Sequence, residues 1–277
     1  SDNCRNRNAV SAPYGCQQTY GDCQSKCEVA YPDNCHNRTA AIASCPANAT
    51  CSYFADCAAK IQSWTCNSGY EKSGNSCIAA VRVSPILYGD GTVADSLVTG
   101  KTPIGIVFDT ANRLAVALTD INSSGSAGST RMYWSSSYCD TPNLDNCTSS
   151  ADFTSCGADG RTNTNAILAS TCNGTTYAAN GANAYEPSGC SKDFCKKTKW
   201  FLPSMRDLIT LYNAKSYVNA SLSLTASSGA KTLTESYYWS STETSNYSAW
   251  LLAMSDGYRY AGHKTSNNPY VRPVLAF

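Results

Sequence analysis

The sequence predicts a domain of mixed helix and strand behind a small disulfide-rich module. Three observations carry this. Ten of the 16 cysteines fall between Cys4 and Cys77, and none follows Cys195. From Val81 onward, strand-length apolar runs alternate with turn residues. Between them, Met205–Tyr212 carries an apolar stripe at helical spacing behind a capping residue.

The first 79 residues hold Cys4, Cys16, Cys23, Cys27, Cys35, Cys45, Cys51, Cys57, Cys66 and Cys77. A segment this short with few large aliphatics buries little core, so cross-links must restrain its unfolded state. The run Cys66-Asn-Ser-Gly69-Tyr70 to Gly74-Asn-Ser-Cys77 resembles the closing loop of an EGF-like repeat, although no C-x-C precedes it. That resemblance implies a Cys66–Cys77 bridge and a stalk or spacer role. An even count of cysteines at this density points to an oxidising, extracellular or cell-surface setting. No C-x2-C pair occurs and only His36 and His263 are present, so structural zinc is disfavoured.

In the second region, taken as residues 80–277, Val81–Tyr88 reads as a strand closed by Gly89-Asp90-Gly91. Pro103–Asp109 and Arg113–Asp120 are apolar runs joined by a short link, which predicts a hairpin in a sheet covered on both faces. Ser123–Thr130 reads as a flexible loop. Residues at about 135–198 hold Cys139, Cys147, Cys156, Cys172, Cys190 and Cys195, and read as a stapled insertion with a short helix near Thr162–Ser170. Ser204 and Asp207 form a cap for a helix whose Met205, Leu208, Ile209 and Tyr212 share a face. The tail reads as strands over Tyr237–Thr242, Ala249–Met254, Tyr258–Ala261 and Tyr270–Phe277. Pro273 assigns the last of them to a sheet edge or a bulge.

Composition limits function. Hydrophobic residues make up 42% and charged residues 15%, which suits a packed core. A net charge of +1 gives no field toward nucleic acid or anionic membranes. No run of about 18 apolar residues exists, so membrane insertion by this segment is not expected. The chain opens at Ser1 without a signal-peptide pattern and reads as mature or trimmed. H-E-x-x-H and G-x-S-x-G are absent, and pairs such as Glu235 with Glu243 or Asp90 with Asp95 lack an anchoring motif. Neither a cofactor nor enzymatic activity is expected.

Four segments together resemble one known family: Leu87–Thr92 with Pro103–Phe108, Trp200–Ser204, Tyr238–Glu243 and Tyr270–Val274. They are similar to the C-type-lectin-like branch that includes formylglycine-generating enzyme, the C-terminal domain of bacterial collagen-like adhesins and the variable proteins of diversity-generating retroelements. The resemblance implies an α+β, C-type-lectin-like domain with loops clustered on one face. It makes Trp239, Trp250, Arg272 and Pro273 framework positions. Formylglycine-generating chemistry needs cysteines late in the fold, and none follows Cys195. Glu186-Pro-Ser188 lacks the Asn of the lectin calcium loop, so no metal is expected.

Adenine-directed mutagenesis in such retroelements turns Asn codons into a restricted residue set. Asn246, Tyr247, Ser248, Leu251, Ala253, Tyr258, Tyr260, Ala261, Gly262, His263, Thr265, Ser266, Asn267, Asn268 and Pro269 all belong to it. A diversified binding segment and an ordinary polar hairpin both fit this pattern. Tyr offers rigid amphipathic area while Ser, Asn and Gly offer adaptable hydrogen bonds, so these residues are the candidate ligand-binding set. The expected function is a surface-displayed adhesin or receptor-binding protein for an unknown protein or glycan on another cell. The alternatives are a pilus or surface-filament subunit and, more remotely, a glycan-active enzyme.

Overall fold

Short strand pairs, with disulfides tying neighbouring segments together, are the described elements of the first of two units, Ser1–Ala80, as a segment with so small an apolar core requires. The computed structural model describes residues 16–20, 23–30, 38–55, 57–68, 70–79, 82–149, 152–171 and 173–277. Cys4, Cys35, Gly69, Val81 and Cys172 lie outside them. In this unit β1 (Cys16–Tyr20) pairs with β2 (Cys23–Ala30), β3 (Ala49–Phe54) with β4 (Cys57–Cys66), and β5 (Tyr70–Ser73) with β6 (Ser76–Ala79). All three pairs are antiparallel. Disulfides join Cys45 to Cys51 and Cys66 to Cys77. The unit's core cluster is Ile42, Ile61 and Trp64, with Ala49, Cys51, Cys66 and Cys77 partly buried against it, and Cys57 is buried as well.

The second unit, Val81–Phe277, is built on a six-stranded sheet. Its strands are β7 (Ile86–Tyr88), β8 (Val93–Ala94), β9 (Pro103–Asp109), β10 (Leu114–Ala117), β11 (Trp200–Phe201) and β15 (Val274–Ala276). Their order is β11-β15-β10-β9-β7-β8, and every pairing is antiparallel. The β9–β10 hairpin forms where the two apolar runs meet, and both strands are buried along almost their whole length. Both faces of the sheet are covered, which explains the unbroken apolar runs. Ile106, Phe108, Val116 and Val274 pack with Leu208 and Leu211 of α3 (Met205–Asn213) and Val218 and Leu222 of α4 (Lys215–Leu224). Ile104, Ala115, Ala117 and Leu275 pack with Ile167 of α1 (Gly160–Ala169) and Ala178 and Ala182 of α2 (Ala178–Ala184).

Helix α3 starts where its local chemistry dictates. The Asp207 N–H donates to Ser204 Oγ at 3.1 Å, and the Ser204 N–H donates back to Asp207 Oδ2 at 2.9 Å. Its fully buried stripe is Met205, Leu208 and Leu211, whereas Ile209 and Tyr212 lie half-buried at its margin.

Three expectations need correction. The last strand is not at an edge, because β15 lies between β11 and β10. Pro273 sits just before it and contributes only its carbonyl, which accepts from the Ala117 N–H at 2.9 Å, so its missing N–H interrupts no ladder. The loop at 123–130 is pinned: the Asn122 side chain accepts from the N–H groups of Ser124 and Ser126, and Ile121 bridges Ala127. The segment at 135–198 carries two helices and delivers Ile167, Cys147 and Phe153 to the cores, so it is part of the packing. Bridges join Cys147 to Cys156 and Cys190 to Cys195 within it.

A second sheet holds the tail. β12 (Tyr237–Glu243), β13 (Ser248–Ala253) and β14 (Arg259–His263) run antiparallel in that order. Arg272, fully buried, pairs with Asp120 Oδ1 at 3.0 Å, and the Tyr238 hydroxyl donates to the same oxygen at 2.9 Å. Burial pushes the Tyr185 phenol up to about 12 and raises that of Tyr238 as well. A phenol with a raised folded pKa stabilises the fold fully below its unfolded value of about 10 and loses that contribution as pH climbs through the folded value. In an alkaline titration followed by phenolate absorbance, these two should therefore ionise together with the loss of native tryptophan fluorescence. Ionisation of all 18 tyrosines with native fluorescence intact would contradict this packing.

Candidate functional site

The β12–β14 sheet presents most of the candidate residues, and two buried anchors hold the loop that follows it. At the first anchor, Lys264 and Glu243 form an ion pair in which both side chains are 0% exposed. Lys264 Nζ also donates to the Cys139 carbonyl at 2.5 Å and lies 4.7 Å from the centroid of the Trp134 ring. The Thr141 N–H donates to Glu243 Oε1 at 3.2 Å. Burial pushes the Glu243 carboxyl up and the Lys264 amine down, and their contact opposes both shifts. The Lys264 carbonyl accepts the N–H groups of Trp134 and Ser135.

At the second anchor, the Pro269 carbonyl accepts the Met132 N–H at 3.0 Å, and Tyr270 exchanges backbone bonds with Tyr237 and Trp239. The indole of Trp239 donates to Met132 O at 2.8 Å, and that of Trp134 donates to Ser240 O at 3.0 Å. Residues 132–135 therefore form a strut between the tail and β12. Thr265–Asn268 span the gap between the two anchors.

The candidate residues separate into several environments. Leu251, Tyr260, Gly262, His263, Ser266, Asn268 and Pro269 line one groove of about 650 Å³. Arg131, Ser236 and Tyr237 complete it. Leu251 lies opposite Tyr260 in the β13–β14 pair and forms part of the floor. Gly262 keeps the floor open, since a Cβ there would come within 2.6 Å of Leu251 Cδ1. The Tyr237 and Tyr260 rings stand 6.4 Å apart, tilted by 52°.

At one end of the sheet, Tyr247 and His263 gather around Tyr138. The Tyr138 and Tyr247 rings lie 5.4 Å apart, and the His263 ring meets Tyr138 edge-on at 6.1 Å. Thr265 Oγ1 lies 2.7 Å from the Tyr138 hydroxyl. Half-buried Asn246 and Ser248 sit beside Tyr247 at the β12–β13 turn. Tyr258 lies at the opposite end of β13, about 17 Å along at strand spacing, and is exposed. Asn267 is exposed on the anchored loop. Ala261 is half-buried and packs on the apolar core. Ala253 is buried opposite Tyr237 and does not reach the surface.

Sequence reasoning missed Tyr138, Arg131 and Tyr237, which come from distant segments or from a strand read as framework. Residue type was the one available signal for the two tyrosines, which the structure leaves 44% (Tyr138) and 40% (Tyr237) exposed, and Arg131 had none.

The ion pair yields a prediction. Removing one partner of a buried pair typically costs about 3–5 kcal/mol because the other charge stays buried alone. Lys264→Met should lower stability by about that much in urea unfolding of the full chain. The double variant Lys264→Met with Glu243→Leu should recover most of the loss. A single-variant cost below about 1 kcal/mol would mean the pair does not hold the tail.

The sequence matches no curated protein. The crystal structure of a fimbrial protein from Bacteroides ovatus superposes on 76% of this chain with a TM-score of 0.47 and 19% identity. The match takes in 51% of that protein, so this chain spans about half its length. Residues 129–275 match the Lcl C-terminal domain, a segment that contains the strut, both anchors, the groove and the tyrosine cluster. With that match covering more than half of its length, the chain belongs to the Lcl C-terminal domain family.

Proposed function

We propose that this chain is an extracellular, non-enzymatic binding protein of the adhesin type, whose C-type-lectin-like second unit grips its ligand with the β12–β14 surface. One observation carries the reading. Tyr237, Tyr247, Tyr258 and Tyr260 are exposed on or beside this sheet, at 40%, 55%, 59% and 49%, while the frame beneath them is buried and hydrogen-bonded. Tyrosines held out in this way offer contact area at little entropic cost. Ser266, Asn267 and Asn268 add adaptable polar groups beside them.

Other features support binding over catalysis. Buried carboxylates have structural partners: Asp120 pairs with Arg272, Glu243 with Lys264, and Asp207 caps α3. Four described disulfides suit an oxidising exterior. The first unit serves as a cross-linked spacer in this reading. In this reading the candidate residues between Asn246 and Pro269 that reach the surface are its diversified part, with Trp250 and Lys264 constant among them. Substitution at exposed Asn267 and Asn268 leaves both anchors in place.

Beads coated with the full chain, scored for attachment to a panel of bacterial and epithelial cells, test the proposal. The triple variant Tyr237→Ser, Tyr247→Ser, Tyr260→Ser should keep its unfolding midpoint and lose attachment by about tenfold or more. Undiminished attachment would rule out this face. Sequencing the locus from several isolates should show substitutions clustered between Asn246 and Pro269, and a uniform tail would remove the diversified reading.

A further inference from the structure

The groove has a chemistry narrower than the surface around it. Its floor is apolar, made by the Leu251 side chain beneath the bare backbone of Gly262. A Cβ at position 262 would also come within 3.3 Å of Trp239 Cη2, so the floor is closed by packed hydrocarbon. Tyr237 and Tyr260, a tilted aromatic pair in contact with each other, stand over it as one wall. The neutral polar side chains of the lining besides the two tyrosines are Ser236, Ser266 and Asn268. No carboxylate lines the groove, whereas Arg131 and His263 both do.

Arg131 is exposed, with its guanidinium carbon 5.6 Å from the centroid of the Tyr270 ring. Among the described residues no carboxylate forms an ion pair with it. A guanidinium beside an aromatic face, at the edge of an apolar cleft, is disposed to receive a carboxylate in forked geometry.

These features discriminate between ligand classes. A neutral pyranose could lay a C–H face on the Leu251–Gly262 floor, but its rim of hydroxyls would meet no carboxylate acceptor in the lining and would leave the Arg131 charge without a partner. A large apolar side chain would bury hydrocarbon on that floor and meet the two tyrosine rings in tilted contact. The groove volume of about 650 Å³ accommodates such a side chain with the backbone on either side of it. The charge of the lining calls for an acidic neighbour.

We infer that the groove binds a protein partner through one large apolar side chain seated on the Leu251–Gly262 floor against the Tyr237–Tyr260 pair, with an adjacent carboxylate of that partner paired to Arg131. This inference rests on the reading of the β12–β14 surface as the ligand-binding face, and it names the class of ligand.

The test uses the full chain with three small probes: N-acetyl-phenylalanine, its carboxamide, and methyl β-glucoside. Backbone amide resonances report where each binds. N-acetyl-phenylalanine should shift the amides of Leu251, Tyr260 and Gly262 and bind about tenfold more tightly than the carboxamide. The glucoside should leave these amides unmoved at the same concentration. Arg131→Met should equalise the two phenylalanine probes without displacing the carboxamide. Equal binding of the two probes to the unaltered chain would overturn the carboxylate partner. Glucoside shifts at these amides, or no shifts from any probe, would overturn the apolar anchor. If bead attachment depends on the tyrosines while no phenylalanine probe binds, this inference fails and the broader binding role survives.

Discussion

Everything at the tail hangs on a charge pair removed from water. Lys264 and Glu243 are fully buried, and taking two ions out of solvent costs several kcal/mol each before their attraction repays it. That repayment needs the surrounding dipoles: the Cys139 carbonyl and the Trp134 face on the lysine, and the Thr141 N–H on the glutamate. These partners come from segments more than 100 residues upstream. The pair therefore forms only when strut, strand and tail meet in one register. A hydrophobic substitute would pack without demanding that register. Specificity of position is what the charges add.

The second anchor works by backbone pairing. Pro269 and Tyr270 dock against Met132, Tyr237 and Trp239, and Arg272 then fixes the chain to Asp120 before it enters β15. Between the anchors, Asn267 and Asn268 are exposed while Thr265 and Ser266 are half-buried, so substitutions at 267 and 268 should cost little stability. Affinity and foldability thus reside in different residues. Tyr260, His263 and Asn268 face outward on a support whose energy lies in Trp134, Trp239, Glu243, Lys264 and Arg272.

What the sequence revealed follows the range of the forces involved. Helix α3 was legible because its cap and stripe are local, three and four residues apart. The β9–β10 hairpin was legible because two adjacent apolar runs have one economical pairing. Pro273 misled because the strand begins one residue after it, and residue type alone does not fix that boundary. Ala253 entered the candidate set on codon grounds, which carry no information on burial, and the structure buries it opposite Tyr237. Arg131 and Tyr138, which flank the strut, were missed because they meet the tail more than 120 residues away in sequence, Tyr138 at Thr265 and Arg131 in the groove it shares with Pro269. The Lys264–Glu243 pair had no local signature either, since a lysine amid polar residues reads as solvated until its surroundings are known.

Amide hydrogen exchange on the intact chain measures the central claim most directly. If the buried pair clamps the tail, the amides of Lys264, Trp134 and Ser135 should exchange as slowly as those of Val107 and Val116 in the β9–β10 hairpin, while Asn267 and Asn268 exchange quickly. A Lys264 amide that exchanges as fast as that of Asn267 would show a tail that opens independently of the core, and would contradict the account.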